Sequence, residues 1–236
     1  MKLKCFWEHN GDDTLLYPID YAGAYARGET LEIAVNKMYD EIKSFCAWSG
    51  QPLDGNEFTV EITEEKASDL NIRDADSDAV FNGETLPLTR DEYLRLKRIA
   101  LKSAKDFLTL FNSVPNKDLS CLQQRQTFYG AIPTTANEMY QHTKNVNGYY
   151  FGEIGVDCDN DGDILSCRER GFALLEKQPN FLENKTLVGS YDELWSLKKV
   201  LRRFVWHDRI HAKAMYRMAL KTFGKDSVPN VFSFTV

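Results

Sequence analysis

The stretch Trp195–Met218, WSLKKVLRRFVWHDRIHAKAMYRM, decides how the chain is read. Wound as a helix, its apolar arc holds Leu197, Val200, Leu201, Phe204, Val205, Met215 and Met218. Lys198, Arg202, Arg209, Lys213 and Arg217 take the other side. The period predicts a helix from Ser196 to about Phe223, stopped by Gly224, the residue type that most readily ends one. His207 and His211, four residues apart, then share a face at the edge of the apolar arc, one turn from each other. Two imidazoles at a core boundary need a partner, because burying them unpaired is costly.

Working back from that helix, three others have the same period. One runs from about Thr89 to Asn112, with Tyr93, Leu96, Ile99, Ala100, Ala104, Phe107, Leu108 and Phe111 on its apolar side. A second follows Pro133, where Thr135 and Glu138 have the spacing of a capping box. A third lies within Asp163–Lys177 and stops before Pro179. Four helices with one apolar face each predict a four-helix bundle over residues 89–224. Residues 225–236 form an extension in which Val231–Val236 reads as a strand. His142, on the second of these helices, shares a face with Met139, Val146 and Tyr149 and so points inward. Three neutral imidazoles with an open fourth position are the ligand set of a catalytic zinc-type site, and nickel or iron(II) accepts them as well. The plainer alternative for each histidine is a hydrogen-bonded core residue.

Ahead of the helices, residues 1–66 read as a small β-β-β-α-β unit, which makes the fold class α+β. Lys2–Glu8, Thr14–Tyr17 and Tyr21–Arg27 are its first strands, with turn chemistry at Gly11-Asp12-Asp13. Thr30 caps a helix reaching Trp48, striped by Leu31, Val35, Met38, Ile42 and Phe45. Glu57–Thr63 alternates as a half-buried strand does. From Glu64 the character changes: Glu64, Glu65, Asp69, Asp74, Asp76, Asp78 and Glu84 face only Lys66 and Arg73, so residues 67–88 read as a solvated acidic linker.

Composition narrows the function classes. The chain has 236 residues, 43% hydrophobic, and a formal charge of −6. That argues against a dedicated nucleic-acid binder, which wants a basic surface. No apolar run approaches the roughly 18 residues that suggest a membrane span, and the opening MKLKCFWEHNGDD has no apolar core of a secretory signal. Cys5, Cys46, Cys121, Cys158 and Cys167 are scattered singly, as small hydrophobes are in a reducing compartment, so the expected location is cytoplasmic.

Several further motifs invite a chemical reading. His207-Asp208-Arg209-Ile210-His211 has zincin spacing, but aspartate reaches less far than the glutamate a protease uses as general base; Asp208 reads instead as a residue orienting a ligand histidine. Asp157, Asp159, Asp161 and Gly162 copy the opening of a calcium loop, yet Arg168 stands where the bidentate glutamate belongs, so calcium is not expected. The eight basic residues of the last helix, Arg203 among them, are able to attract an anionic cosubstrate or a phosphate group, but such a face reads first as solvated or paired with acidic surface elsewhere in the chain. Tyr140, Tyr149, Tyr150 and Trp206 read first as core packing, with a pocket wall as the alternative.

TTANEMYQHTKNVNGYYF and WSLKKVLRRFVWHDRIHAKAMYRM, with a histidine ahead of a final-helix H-x-x-x-H pair, resemble the DinB-like superfamily over roughly residues 89–224. The resemblance implies an up-down-down-up bundle and a divalent transition metal (Zn, Ni or Fe) on His142, His207 and His211. It also implies a homodimer and chemistry of the thiol-dependent transferase or isomerase kind on a small-molecule substrate. Asp208 is the candidate for orienting one of these ligands, and Tyr149 or Glu153 for a place near the open site. The stretch YPIDYAGAYARGETLEIAVNKMYDEIKSF resembles the HicB-like fold, with Pro18, Asp20, Gly23, Gly28, Thr30 and Glu32 matching in type and Ile19 inserted. That second resemblance implies a protein partner or self-association. The competing expectation is therefore a non-catalytic binding or regulatory module.

Overall fold

In the computed structural model, residues 2–53, 58–127 and 130–235 are described. Strands β1 (Lys2–His9) and β2 (Thr14–Pro18) are joined by a turn in which Asn10 Oδ1 accepts the backbone N–H groups of Asp12 and Asp13, with Gly11 at φ 92°. Strand β3 (Ala26–Gly28) follows, shorter than the Tyr21–Arg27 expected, because residues 19–24 turn instead. Helix α1 (Leu31–Ser49) starts on the Thr30 side chain and ends at Gly50 in the left-handed region. Strand β4 (Thr59–Ala67) completes a mixed sheet of order β3-β2-β1-β4, in which only β1 and β4 are parallel. Glu57, where the sequence starts that last strand, lies outside the described residues.

The sheet is covered on both faces. Leu3, Cys5 and Leu16 meet Met38, Ile42 and Phe45 of α1 on one side. Phe6, Leu15 and Tyr17 meet Ile72, Ala79, Phe81 and Trp206 on the other. Every residue of β2, TLLYP, is buried. Such a strand needs cover on two sides, and residues 67–88 supply half of it. They are therefore not a solvated linker. They carry two 3-10 turns, Ile72–Asp74 and Asn82–Thr85, and pack between sheet and last helix.

Helices α2 (Arg90–Ser113), α3 (Ala136–Gly152), α4 (Ile164–Leu175) and α5 (Leu197–Phe223) make up the rest of the regular structure, with two-residue ladders at Gln126–Thr127/Gly130–Ala131 and Leu187–Val188/Leu194–Trp195. Side chains of Thr89, Thr135, Asp163 and Ser196 cap their N-termini. Helices α4 and α5 each pack against both α2 and α3. One continuous core runs from α1 through α5 to α4.

Much of the basic face of α5 is buried and paired, and only Arg217 and Lys221 of its eight basic residues are exposed. Arg202 donates to both oxygens of Glu84 and to Ala79 O, Lys199 pairs with Glu193 and also reaches Asp78 O, and Arg209 pairs with Glu41. The carboxylates that satisfy these three come from three places: Glu84 in the acidic segment, Glu41 in α1 and Glu193 ahead of α5. Residues 231–235 form a turn and irregular chain rather than a strand, with Phe232 and Phe234 buried and Phe232 stacked on Trp48. Val236 lies outside the described residues. Among the described residues no helix is long and apolar enough to cross a membrane.

Candidate metal centre

The start of α3 is held by a reciprocal cap: Thr135 Oγ1 accepts from Glu138 N, and the Glu138 carboxylate accepts from Thr135 N. Seven residues on, two turns along the same face, α3 presents His142. Helix α5 presents His207 and His211 to the same point. Ring centroids lie 5.2 Å apart for His142–His207, 4.6 Å for His142–His211 and 4.5 Å for His207–His211. One nitrogen from each ring lies within 4.8 Å of the other two, and no fourth histidine, cysteine or carboxylate joins them among the described residues.

Burial sets their protonation. His207 is 9% exposed, His211 is half-buried and His142 stands at the mouth. Burial pulls the His211 pKa down to about 3, with His142 nearby adding to the effect. His207 is lowered well below its usual value by burial and by the two neighbouring rings, and His142 is lowered by its partial cover. All three are neutral near pH 7, the state in which imidazole offers a lone pair. His207 Nδ1 is buried with no hydrogen-bond partner.

The donor set fits a divalent transition ion. Zinc–nitrogen bonds of about 2.0–2.1 Å place tetrahedral nitrogens about 3.4 Å apart, so modest side-chain rotations close the triad. A buried ring nitrogen without a partner is costly on its own, and a bound metal would satisfy the nitrogen that each ring offers at the common point.

Two expectations about neighbouring residues are corrected. Asp208 does not orient a ligand histidine. Its side chain is wholly buried on the core side of α5, where Arg168 Nη2 donates to Oδ1 at 3.0 Å, and Arg168 Nη1 and Ser103 Oγ both donate to Oδ2. Arg168, which disqualifies the calcium loop, is that core partner; Arg170 pairs instead with Asp159. Tyr149 and Glu153 do not line the open side. Tyr149 packs edge-on against Trp195, and Glu153 accepts the backbone N–H of Ser190.

The open side is a cavity of about 350 Å³ whose wall includes the three histidines, Tyr150, Trp206 and Arg203. Tyr150 and Trp206 thus take the pocket-wall alternative, whereas Tyr140 stacks on Phe111 in the core, centroids 4.0 Å apart. Arg203 stacks over Trp206 and bonds Tyr150, whose pKa is raised by burial. The sequence offered an anion-attracting role for the eight basic residues of this helix together, but nothing in one dimension singled out Arg203 as the one on the cavity wall. No cysteine lines this cavity; all five are unpaired, and burial pushes Cys5 up to about 12 and Cys158 up to about 11, far from thiolate character. No family model, curated protein or solved structure matches this chain.

Proposed function

We propose that the chain is a metal-dependent enzyme of the DinB-like kind, with helices α2–α5 as its four-helix bundle. His142, His207 and His211 would hold a divalent transition metal, zinc, nickel or iron. The observation that carries this reading is the convergence of three neutral imidazoles from two helices on one point beside an open cavity. A closed fourth position would mark a structural site; an open one suits catalysis. A metal there supplies Lewis acidity, polarising a substrate oxygen or acidifying a thiol or water presented to it.

The chain's own residues do the positioning. Trp206 and Tyr150 wall the cavity with aromatic surface, which excludes water from one side of a bound substrate. Burial keeps Tyr150 protonated, so its O–H is available to a substrate oxygen while Arg203 donates to it. Thiol-dependent transfer or isomerisation and homodimerisation stay in the proposal on the strength of the resemblance, hydrolysis of a small molecule as the alternative chemistry of such a metal, and a cytoplasmic location on the scattered single cysteines.

Elemental analysis of untagged protein, beside a His207→Ala/His211→Ala variant, tests the reading. Near-stoichiometric metal in the wild type, lost in the variant, is expected. A wild type that arrives metal-free and takes up neither zinc nor nickel overturns it.

A further inference from the structure

The wall of the histidine cavity is assembled from distant parts of the chain, and four of them bring an arginine. Arg27 comes from β3, Arg73 from the Ile72–Asp74 turn, Arg125 from the loop ahead of α3 and Arg203 from α5. In a chain of net charge −6 this is a local reversal of sign. Only Asp74 and Asp76 oppose the arginines on that wall. Arg125 Nη1 already holds Asp74 at 2.8 Å, and burial raises the Asp76 carboxyl against the lowering pull of the nearby Arg203.

The remaining guanidinium groups are under-used. Arg27 approaches Asp13 no closer than 3.9 Å, and Arg73 has no ion pair among the described residues. Arg203 gives Nη1 to the Ser77 carbonyl and bonds Tyr150, but its Nε is buried without a partner, as is Nε1 of the adjoining wall residue Trp206. Planar guanidinium groups pair with carboxylate or phosphate through two parallel hydrogen bonds, and a concave basic wall concentrates anions. The cavity has the size of a small-ligand site.

We propose that this cavity binds a small organic anion through a carboxylate or phosphate group, held chiefly by Arg203 and Arg73, with the rest of the molecule turned toward the histidines. The orientation toward a metal rests on the reading above; the anion site does not. The inference also gives the first 88 residues a task. Arg27 and Arg73 belong to them, so the sheet and the acidic segment complete the binding site of the helical half.

Calorimetric titration of the full chain, metal-free and zinc-loaded, with succinate and with inorganic phosphate tests this. At least one anion is expected to saturate a single site. Arg73→Gln should weaken it about tenfold or more, the usual order for a lost charged hydrogen bond, with zinc stoichiometry unchanged. Arg203→Gln should weaken it further; Arg73, exposed and without a structural partner, guards against a folding defect in that variant. Saturation by succinate alone assigns a carboxylate, and by phosphate alone a phosphate ester. Arginine-dependent anion binding in a protein that takes up no zinc supports this inference and overturns the metal site. Zinc uptake with no anion binding, or affinity unchanged in both variants, overturns this inference and leaves the metal site standing.

Discussion

Arg168 and Asp208 form a two-pronged ion pair with no solvent exposure on either side chain. The pair gathers helices α2 to α5. Ser103 of α2 donates to Asp208 of α5, Arg168 of α4 donates to Ala100 O of α2 at 3.0 Å, and Arg168 Nε donates to Asn147 Oδ1 of α3 at 2.9 Å. Because Asp208 directly follows His207, the core network sets the rotation of α5, and that rotation aims His207 and His211 at the cavity.

Removing one partner should therefore be expensive. Asp208→Asn leaves the Arg168 charge buried and uncompensated, a loss of about 3–5 kcal/mol. Replacing both partners, Arg168→Met with Asp208→Leu, should recover much of it. Urea unfolding measures both. Metal affinity of the folded Asp208→Asn protein should weaken in step with its lost stability, because α5 is held less firmly; metal loss without instability would instead point to a direct role at the site.

The histidines make the metal-free protein pH-sensitive in a defined direction. The His211 pKa falls to about 3 in the folded chain, against about 6.5 unfolded. Between those values the unfolded chain binds more protons, so stability rises with pH across the window and is lost as pH falls through it. His207, lowered in the same direction, adds to the slope. Unfolding free energies measured from pH 4.5 to 7.5 should rise more steeply in wild type than in His207→Ala/His211→Ala; parallel curves would refute the assignment. Buried Glu8, raised by burial, acts oppositely but equally in both proteins.

The acidic segment is expected to carry stability. Glu84→Ala strands Arg202, 4% exposed, and should cost about 3–5 kcal/mol, where a solvated linker would show almost nothing. Denaturant midpoints distinguish the two.

Gly23 marks where the N-terminal unit meets α5. Its φ is 96°, and a Cβ would stand 2.4 Å from Val205 Cγ1. Gly23→Ala combines left-handed strain with overpacking and should cost about 2–4 kcal/mol. Val205→Ala in the same chain should restore part of that loss by making room, as read from thermal unfolding.

Helix limits were legible from local chemistry. Thr30, Thr89, Thr135, Asp163 and Ser196 are short polar side chains that satisfy the free N–H groups of a first turn, and this requires only neighbours in sequence. The i,i+4 spacing of His207 and His211 likewise placed both rings on one face, and the inward period of α3 brought His142 into consideration. What covers the second face of a sheet, however, is a long-range matter. Strand TLLYP, apolar on both sides, carried the signal that residues 67–88 must pack, but its five residues were too few to name the partner. Charge was misread for the same reason. Glu84 and Arg202 look like surface residues in one dimension, Asp208 reads as serving a histidine and Arg168 as part of a loop, and only tertiary packing pairs Glu84 with Arg202 and Arg168 with Asp208 away from water. Backbone capping and helical period are decided within a few residues, so the sequence alone determined them. Pairing of buried charges, the aim of α5 and the arginine wall depend on contacts between segments up to about 170 residues apart (Glu41 with Arg209, for one), and only the folded chain decided them.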